Sequence, residues 1–139
     1  MTESGNHKQL MRQFFDAVNR RRLEEADELI ANEFVAHNVM TPASVNDRKG
    51  FIAFLGALIT AFPDLELAVS EMIADGEKVV SWVAASGTHR GDFLGVAATS
   101  AFARWDVVHC TTIRNNKIAE DRIMVDQFAL LKALGAVTA

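Results

Sequence analysis

KVVSWVAASGTHRGDFLGVAATSAFARWDVVHCTTIRNNKIAEDRIMVDQFALLKALG, the stretch Lys78–Gly135, decides the fold. It reads as three strands in succession followed by a short helix. In the first strand, about Lys78 to Thr88, Val80, Trp82 and Ala84 alternate with Val79, Val83 and Ala85. Both of its faces are apolar, so it is predicted to lie centrally in a sheet. The second strand, about Ala101 to Arg114, carries Trp105, Val107, His109, Thr111 and Ile113 on its odd face. Its even face carries Arg104, Asp106, Val108, Cys110 and Thr112. Between these two strands, Arg90 to Ala98 holds Gly91 and Gly95 and reads as a loop. Asn115-Asn116 is a tight-turn signal. The third strand, Lys117 to about Asp126, runs into a helix with Phe128, Leu130, Leu131 and Leu134 that stops at Gly135.

Working outward, Leu65, Leu67, Val69 and Ile73 alternate with more polar neighbours, giving a further strand to about Ala74, joined to the next by Asp75-Gly76. Before it, Phe51, Phe54, Leu55, Leu58, Ile59 and Phe62 form the apolar face of a helix capped by Asn46 or Asp47 and stopped by Pro63-Asp64. Asn38 to Asp47 reads as a loop, and Glu33 to Asn38 as an apolar segment ending in a polar pair. Two helices open the chain, one from about Ser4 to Arg20 with Leu10, Met11, Phe14, Ala17 and Val18 on one side, the other from Leu23 to about Ile30. Helices first and an antiparallel meander afterwards predict an α+β fold, as one domain over residues 1–139.

Half of the 139 residues are apolar and 23% are charged, the balance of an ordinary globular protein. A net charge of −4 argues against nucleic-acid binding. The one basic run, Arg20 to Arg22, reads as a solvated helix end. Cys110 is the only cysteine, so no internal disulfide forms, and no Cys/His cluster has zinc spacing. No stretch is long and apolar enough for a membrane span or a signal peptide, and a cytoplasmic protein is expected.

Few polar residues interrupt the apolar faces: His89, His109 and Asp126. His109 is expected to face inward with Trp105, where it can donate to a substrate oxygen or serve the core as a structural histidine. Asp126 suits a base at the rim of an apolar cavity, and equally the cap of the helix that begins near Gln127. Asn38, beside His37, adds a neutral donor. His89 reads as loop structure, and Cys110, on the opposite face from His109, as packing or interface. Phe54, Leu58, Trp82, Trp105 and Met124 are expected to line the cavity, which would suit a flat aromatic or polycyclic ligand.

The pieces Phe34-Val35-Ala36-His37-Asn38, Ala61-Phe62-Pro63-Asp64-Leu65, Gly87-Thr88-His89-Arg90-Gly91-Asp92-Phe93-Leu94-Gly95, Lys117-Ile118-Ala119-Glu120, Asp126 and Leu130-Leu131-Lys132-Ala133-Leu134-Gly135 follow one another in a familiar order. The chain resembles the SnoaL-like polyketide cyclases, also called ester cyclases, within the cone-fold group of nuclear transport factor 2, ketosteroid isomerase and scytalone dehydratase. The resemblance implies a cone-shaped α+β barrel, with N-terminal helices on a curved, mostly antiparallel sheet. It also implies aldol-type cyclisation of a carbonyl or ester substrate by acid–base chemistry, with no metal or other cofactor. By that resemblance Asp126 is the general acid/base, His109 and His37 assist, and the ligand is an aromatic or polyketide-like small molecule. Arg122 stands where the family often has Trp, and is expected to reshape the pocket or pair with Asp126. Cones of this kind often dimerise through the outer face of the sheet, so a homodimer or higher homo-oligomer is expected. Two other readings remain: an isomerase or epoxide-hydrolase-type enzyme using residues such as Asp106, Arg104, Arg122 and Asp126, or a non-catalytic ligand-binding dimer with a narrow cone.

Overall fold

The computed structural model describes residues 2–37 and 46–137. Chain order is α1 (Glu3–Asn19), α2 (Leu23–Glu28), β1 (Ile30–His37), α3 (Arg48–Ala61), β2 (Glu66–Asp75), β3 (Lys78–Thr88), β4 (Phe102–Arg114), β5 (Lys117–Val125) and α4 (Gln127–Ala133). The strands form one curved, open sheet in the order β1-β5-β4-β3-β2. All pairings are antiparallel except β1 with β5, which is parallel. The predicted α+β class holds, whereas the middle strand is β4; β3 lies between β4 and the edge strand β2, and its second apolar face, with Val80 and Trp82, is exposed. The segment around Phe34 is a full edge strand, β1, and α2 stops at Glu28 to release it.

Local chemistry sets these boundaries. Thr2 accepts from Gly5 N to cap α1, Asp47 accepts from Gly50 N to cap α3, and Asp126 accepts from Ala129 N to cap α4. Asn115 and Asn116 both take positive φ, 52° and 58°, which lets a two-residue turn join β4 to β5 with the right-handed twist that hairpins favour.

The core lies between α1, α3 and the inner face of the sheet. Phe14 and Phe51 stack at 6.1 Å, Phe34 and Phe51 pack at 5.1 Å, and Phe62 and Trp105 at 5.1 Å. Val79, Val83 and Ala85 of β3 face inward and are buried, while Val80 and Trp82 face out.

Two bulges correct the alternation read from the sequence. Between Val69 and Glu71 the register of β2 on β3 slips, leaving Ser70 as the extra residue. Leu67 and Val69 therefore turn inward, as do Met72 and Ala74 beyond the bulge, while Ile73 is 62% exposed on the outer face. On β5, Thr112 pairs with Glu120 but Ile113 with Ile118, leaving Ala119 as the extra residue. Past it, Asp121, Ile123 and Val125 face the interior, and Arg122 and Met124 face out.

The basic run is also corrected. Arg20 and Arg22 make surface ion pairs with Asp16 and Glu25. Arg21, at φ 65°, turns its guanidinium back to donate to the carbonyls of Val18, Asn19, Pro63 and Leu65. It ties the end of α1 to the start of β2 instead of being solvated.

The α3–β2 corner and the loop after β3 clasp each other. Asp64 accepts from Thr88 N and Thr88 Oγ1, which holds its carboxyl below the usual carboxylate range. A Cβ on Gly87 would stand 2.9 Å from Phe62 Cβ, and one on Gly91 3.0 Å from the Thr60 carbonyl oxygen. Glycine leaves room for the Phe62 side chain at the first site and for the α3 backbone at the second.

Candidate functional site

An apolar pocket lies between α1, α3 and the inner face of the sheet. Phe54 and Leu58 of α3, Phe14 and Phe15 of α1, and Val83, Trp105, Val107, Ile123 and Val125 of the sheet contribute to its wall. His109 is the only ionisable side chain lining it among the described residues. The expectation that His109, Trp105, Phe54 and Leu58 share a cavity agrees with this placement.

His109 is 8% exposed and sits against Phe15, edge to face at 5.2 Å. Its Nδ1 lies 2.8 Å from Asp121 Oδ2. The second carboxylate oxygen, Oδ1, accepts from Thr111 Oγ1 at 3.0 Å, and Asp121 is 1% exposed. A carboxylate oxygen only accepts when ionised, so in a neutral ring this contact would put the proton on Nδ1 and leave Nε2 bare. A buried carboxylate satisfied by two donors is the stable way to hold such a group in a core. The arrangement can orient an imidazole and stabilise the charge it gains on taking a proton.

The other expected site residues lie elsewhere. Asp126 is exposed and its carboxylate is taken up by the α4 cap, so the desolvated rim position expected of a base is not where the fold puts it. Trp82 is 46% exposed and Met124 69% exposed on the outer face, a correction to their placement in the cavity. Arg122 is exposed on that same side, with Nη2 3.8 Å from Glu120 Oε1, so it neither enters the pocket nor replaces the cap on Asp126. Arg104 and Asp106 are likewise exposed on the even face of β4 and do not gather around the pocket with Arg122 and Asp126. His37, at the end of β1, pairs through Nε2 with Glu120 Oε1 at 2.8 Å, outside the pocket. That hydrogen bond is the first cause of a lowered Glu120 pKa, aided by the charges of His37, Lys78 and Arg122 and opposed by desolvation. Asn38 and the loop to residue 45 lie outside the described residues.

Asp121 is the group that sequence reading passed over. Counted without a bulge from the Asn115-Asn116 turn, it falls opposite Cys110 on the outer face. The extra residue Ala119 brings it opposite Thr111, one step from His109. The usable signal was the pair itself, a His and an Asp on neighbouring strands.

The cavity encloses about 50 Å³, room for a water or two at roughly 30 Å³ each. Small-molecule sites usually run from about 300 Å³ upward, so a polycyclic ligand requires the lining to open. A larger open groove of about 600 Å³, lined by Leu23, Glu24, Asp27, Asn32, Asp47, Arg48, Lys49 and Ile52, shares no residue with this pocket. Its Arg48 is already engaged by Asp27 and Asn32, so the smaller pocket is the better candidate for chemistry. No three His, Cys, Asp or Glu side chains among the described residues group to hold a metal ion, and no described helix is long and apolar enough to cross a membrane.

The same architecture recurs in solved structures. TsrD from Streptomyces laurentii superposes with a TM-score of 0.88 at 23% identity, over 99% of this chain and 100% of that one. AclR from Streptomyces galilaeus, a candidate hydroxylase, gives 0.84 at 22% identity, over 98% and 100%. IdmH from Streptomyces antibioticus, a candidate polyketide cyclase, gives 0.80 at 25% identity, over 93% and 98%. Among curated proteins none matches. The family model for SnoaL-like polyketide cyclases matches residues 8–134. With nearly the whole chain matched and a cone of helices on a curved open sheet, this protein belongs to the SnoaL-like polyketide cyclase family.

Proposed function

We propose that the protein is an acid–base enzyme acting on a small carbonyl or ester compound in the apolar pocket, with His109 as the proton-transferring group. Supporting this is His109 itself, the one ionisable side chain lining the pocket among the described residues, backed by a buried carboxylate. His109 Nε2 takes a proton from the carbon next to a carbonyl, and Asp121 holds the ring and stabilises the resulting imidazolium. The low-dielectric wall of Phe54, Leu58 and Trp105 keeps water from competing. In this family such carbanion chemistry suits an aldol-type ring closure, and the small cavity favours a compact reacting end. Exchange into D2O tests it: a panel of small ketones and esters is followed by NMR for loss of the α-proton signal. Wild type exchanges at least one, His109→Gln lowers that rate by about 100-fold or more, and Asp126→Asn leaves it within about twofold. Exchange that survives His109→Gln contradicts the assignment.

A second reading is favoured by the narrow cavity and the capped Asp126: a ligand-binding protein without catalysis. It predicts binding without exchange across the whole panel.

The reading includes self-association. Register places Ile73 beside Val80, Trp82 beside Val108, and Val108 beside Met124, so the outer face carries a continuous apolar patch. A second copy docked face to face would cover it. Light scattering should show a dimer, and Trp82→Arg a monomer; a monomeric wild type removes this part of the proposal.

A further inference from the structure

The pocket encloses about 50 Å³, whereas an apolar cavity that takes up benzene measures about 150 Å³. Even a single ring therefore enters only if one wall yields. Among the lining residues, Phe54, Leu67 and Val125 are partly exposed and the others are buried, so the way in passes these three. Leu67 is clamped: its N–H donates to Asn19 Oδ1 at 2.8 Å, and its carbonyl accepts from Asn19 Nδ2 at 2.9 Å. Val125 is β-branched, stiff about its one torsion, and pairs with Val107 in the sheet. Phe54 is the largest of the three, and turning its ring aside breaks no backbone hydrogen bond. The ring leans on Phe93 at 6.5 Å, and Phe93 meets Phe62 edge to face at 5.6 Å. Phe93 belongs to the loop between β3 and β4, which is fastened at its two ends. Arg90 N and Gly91 N donate to the Ala61 carbonyl, Thr99 N donates to His89 Nδ1, and Ser100 N donates to the His89 carbonyl. Between those ends Phe93 is the only buried side chain. A tight turn carries it: Phe93 and Val96 exchange two backbone hydrogen bonds of 2.9 Å around Leu94 at φ 51° and Gly95 at φ 78°.

We propose that Phe54 is the gate of the pocket and that Phe93 is the latch that keeps it closed. When the turn carrying Phe93 lifts, the Phe54 ring rotates off the pocket, and the space it leaves joins the cavity. An apolar ring can then lie against Trp105, on the wall that holds His109. Closure behind the ligand shuts out water, as moving loops do over other sites. The inference rests on the reading above that the pocket receives a ligand. It adds the side by which the ligand enters and the two residues that control entry.

Toluene is the probe, and NMR line shapes over a titration of the full chain give its association rate and Kd. Phe54→Ala, Leu67→Ala and Val125→Ala each shorten one residue of the entrance, and melting curves show that each variant is folded. Because the association rate follows the open fraction, Phe54→Ala should raise it about tenfold or more, and the other two by less than about threefold. Phe93 does not line the pocket, so a change there reports on the latch rather than on the wall. Phe93→Leu keeps an apolar anchor for the loop and should raise the association rate about threefold or more. Toluene bound by Phe54→Ala but not by wild type is the same result at its limit. Equal acceleration by Leu67→Ala or Val125→Ala overturns the gate, and so does a Phe93→Leu rate equal to that of wild type. In both cases toluene still binds, and the pocket reading stands. If neither wild type nor Phe54→Ala binds toluene, the pocket reading fails and the gate with it.

Discussion

Two histidine–carboxylate pairs stand on this sheet, and both span 2.8 Å. One joins His109 on β4 to Asp121 on β5, on the inner face, with side chains 10% and 2% exposed. The other joins His37 on β1 to Glu120 on β5, with side chains 34% and 29% exposed. Asp121 and Glu120 are chain neighbours, and the pleat sends them to opposite faces. At the edge, water, Lys78 and Arg122 share the charge of Glu120, so losing one partner is easily absorbed. In the core, Asp121 has His109 and Thr111 as its only side-chain partners among the described residues. Distance alone therefore says little about what a pair does; its surroundings decide.

The largest expected effect comes from breaking the inner pair. Asp121→Ala leaves His109 Nδ1 and Thr111 Oγ1 without their acceptor, and should cost about 3 kcal/mol of stability in urea unfolding. Glu120→Gln, at the edge, should cost less than about 1 kcal/mol. Comparable losses in the two variants would break the comparison. A smaller effect concerns acid. Glu120 titrates below its ordinary range in the folded chain, so its contribution is present above its unfolded pKa and is lost as pH falls through the lowered folded one. Unfolding curves between about pH 7 and pH 3 should show wild type losing slightly more stability than Glu120→Gln. An identical acid response would mean that the edge pair adds nothing. The smallest effect expected is for His37→Gln on α-proton exchange, none beyond about twofold, since His37 lies outside the pocket.

The sequence carried the elements well because their signals are local. Asp47 before an apolar helix, Asn115-Asn116 between two alternating runs, and the two apolar faces of β3 each act within a few residues. What it did not carry was facing. Strict alternation puts Ile73 on the face of Leu67 and Val69 and, counted from the Asn115-Asn116 turn, Met124 opposite Val107; one extra residue in each strand, Ser70 and Ala119, reverses that alternation. Trp82 belongs to a strand whose faces are equally apolar, so only its neighbours could decide which one is covered. Asp121 is hidden for the same reason as Met124, because the bulge at Ala119 sets the facing of everything after it. Arg21 was misread because its partners, the carbonyls of Pro63 and Leu65, are distant in the chain.

The most direct test of the inner pair is the tautomer of His109, read from two-bond proton–nitrogen correlations in 15N-labelled protein at a pH where the ring is neutral. Asp121 as an ionised acceptor predicts that the proton sits on Nδ1 and that Nε2 is bare, with the assignment lost in Asp121→Asn. A proton on Nε2 in the wild-type chain would contradict the account, because the ring would then offer the pocket a donor and no base.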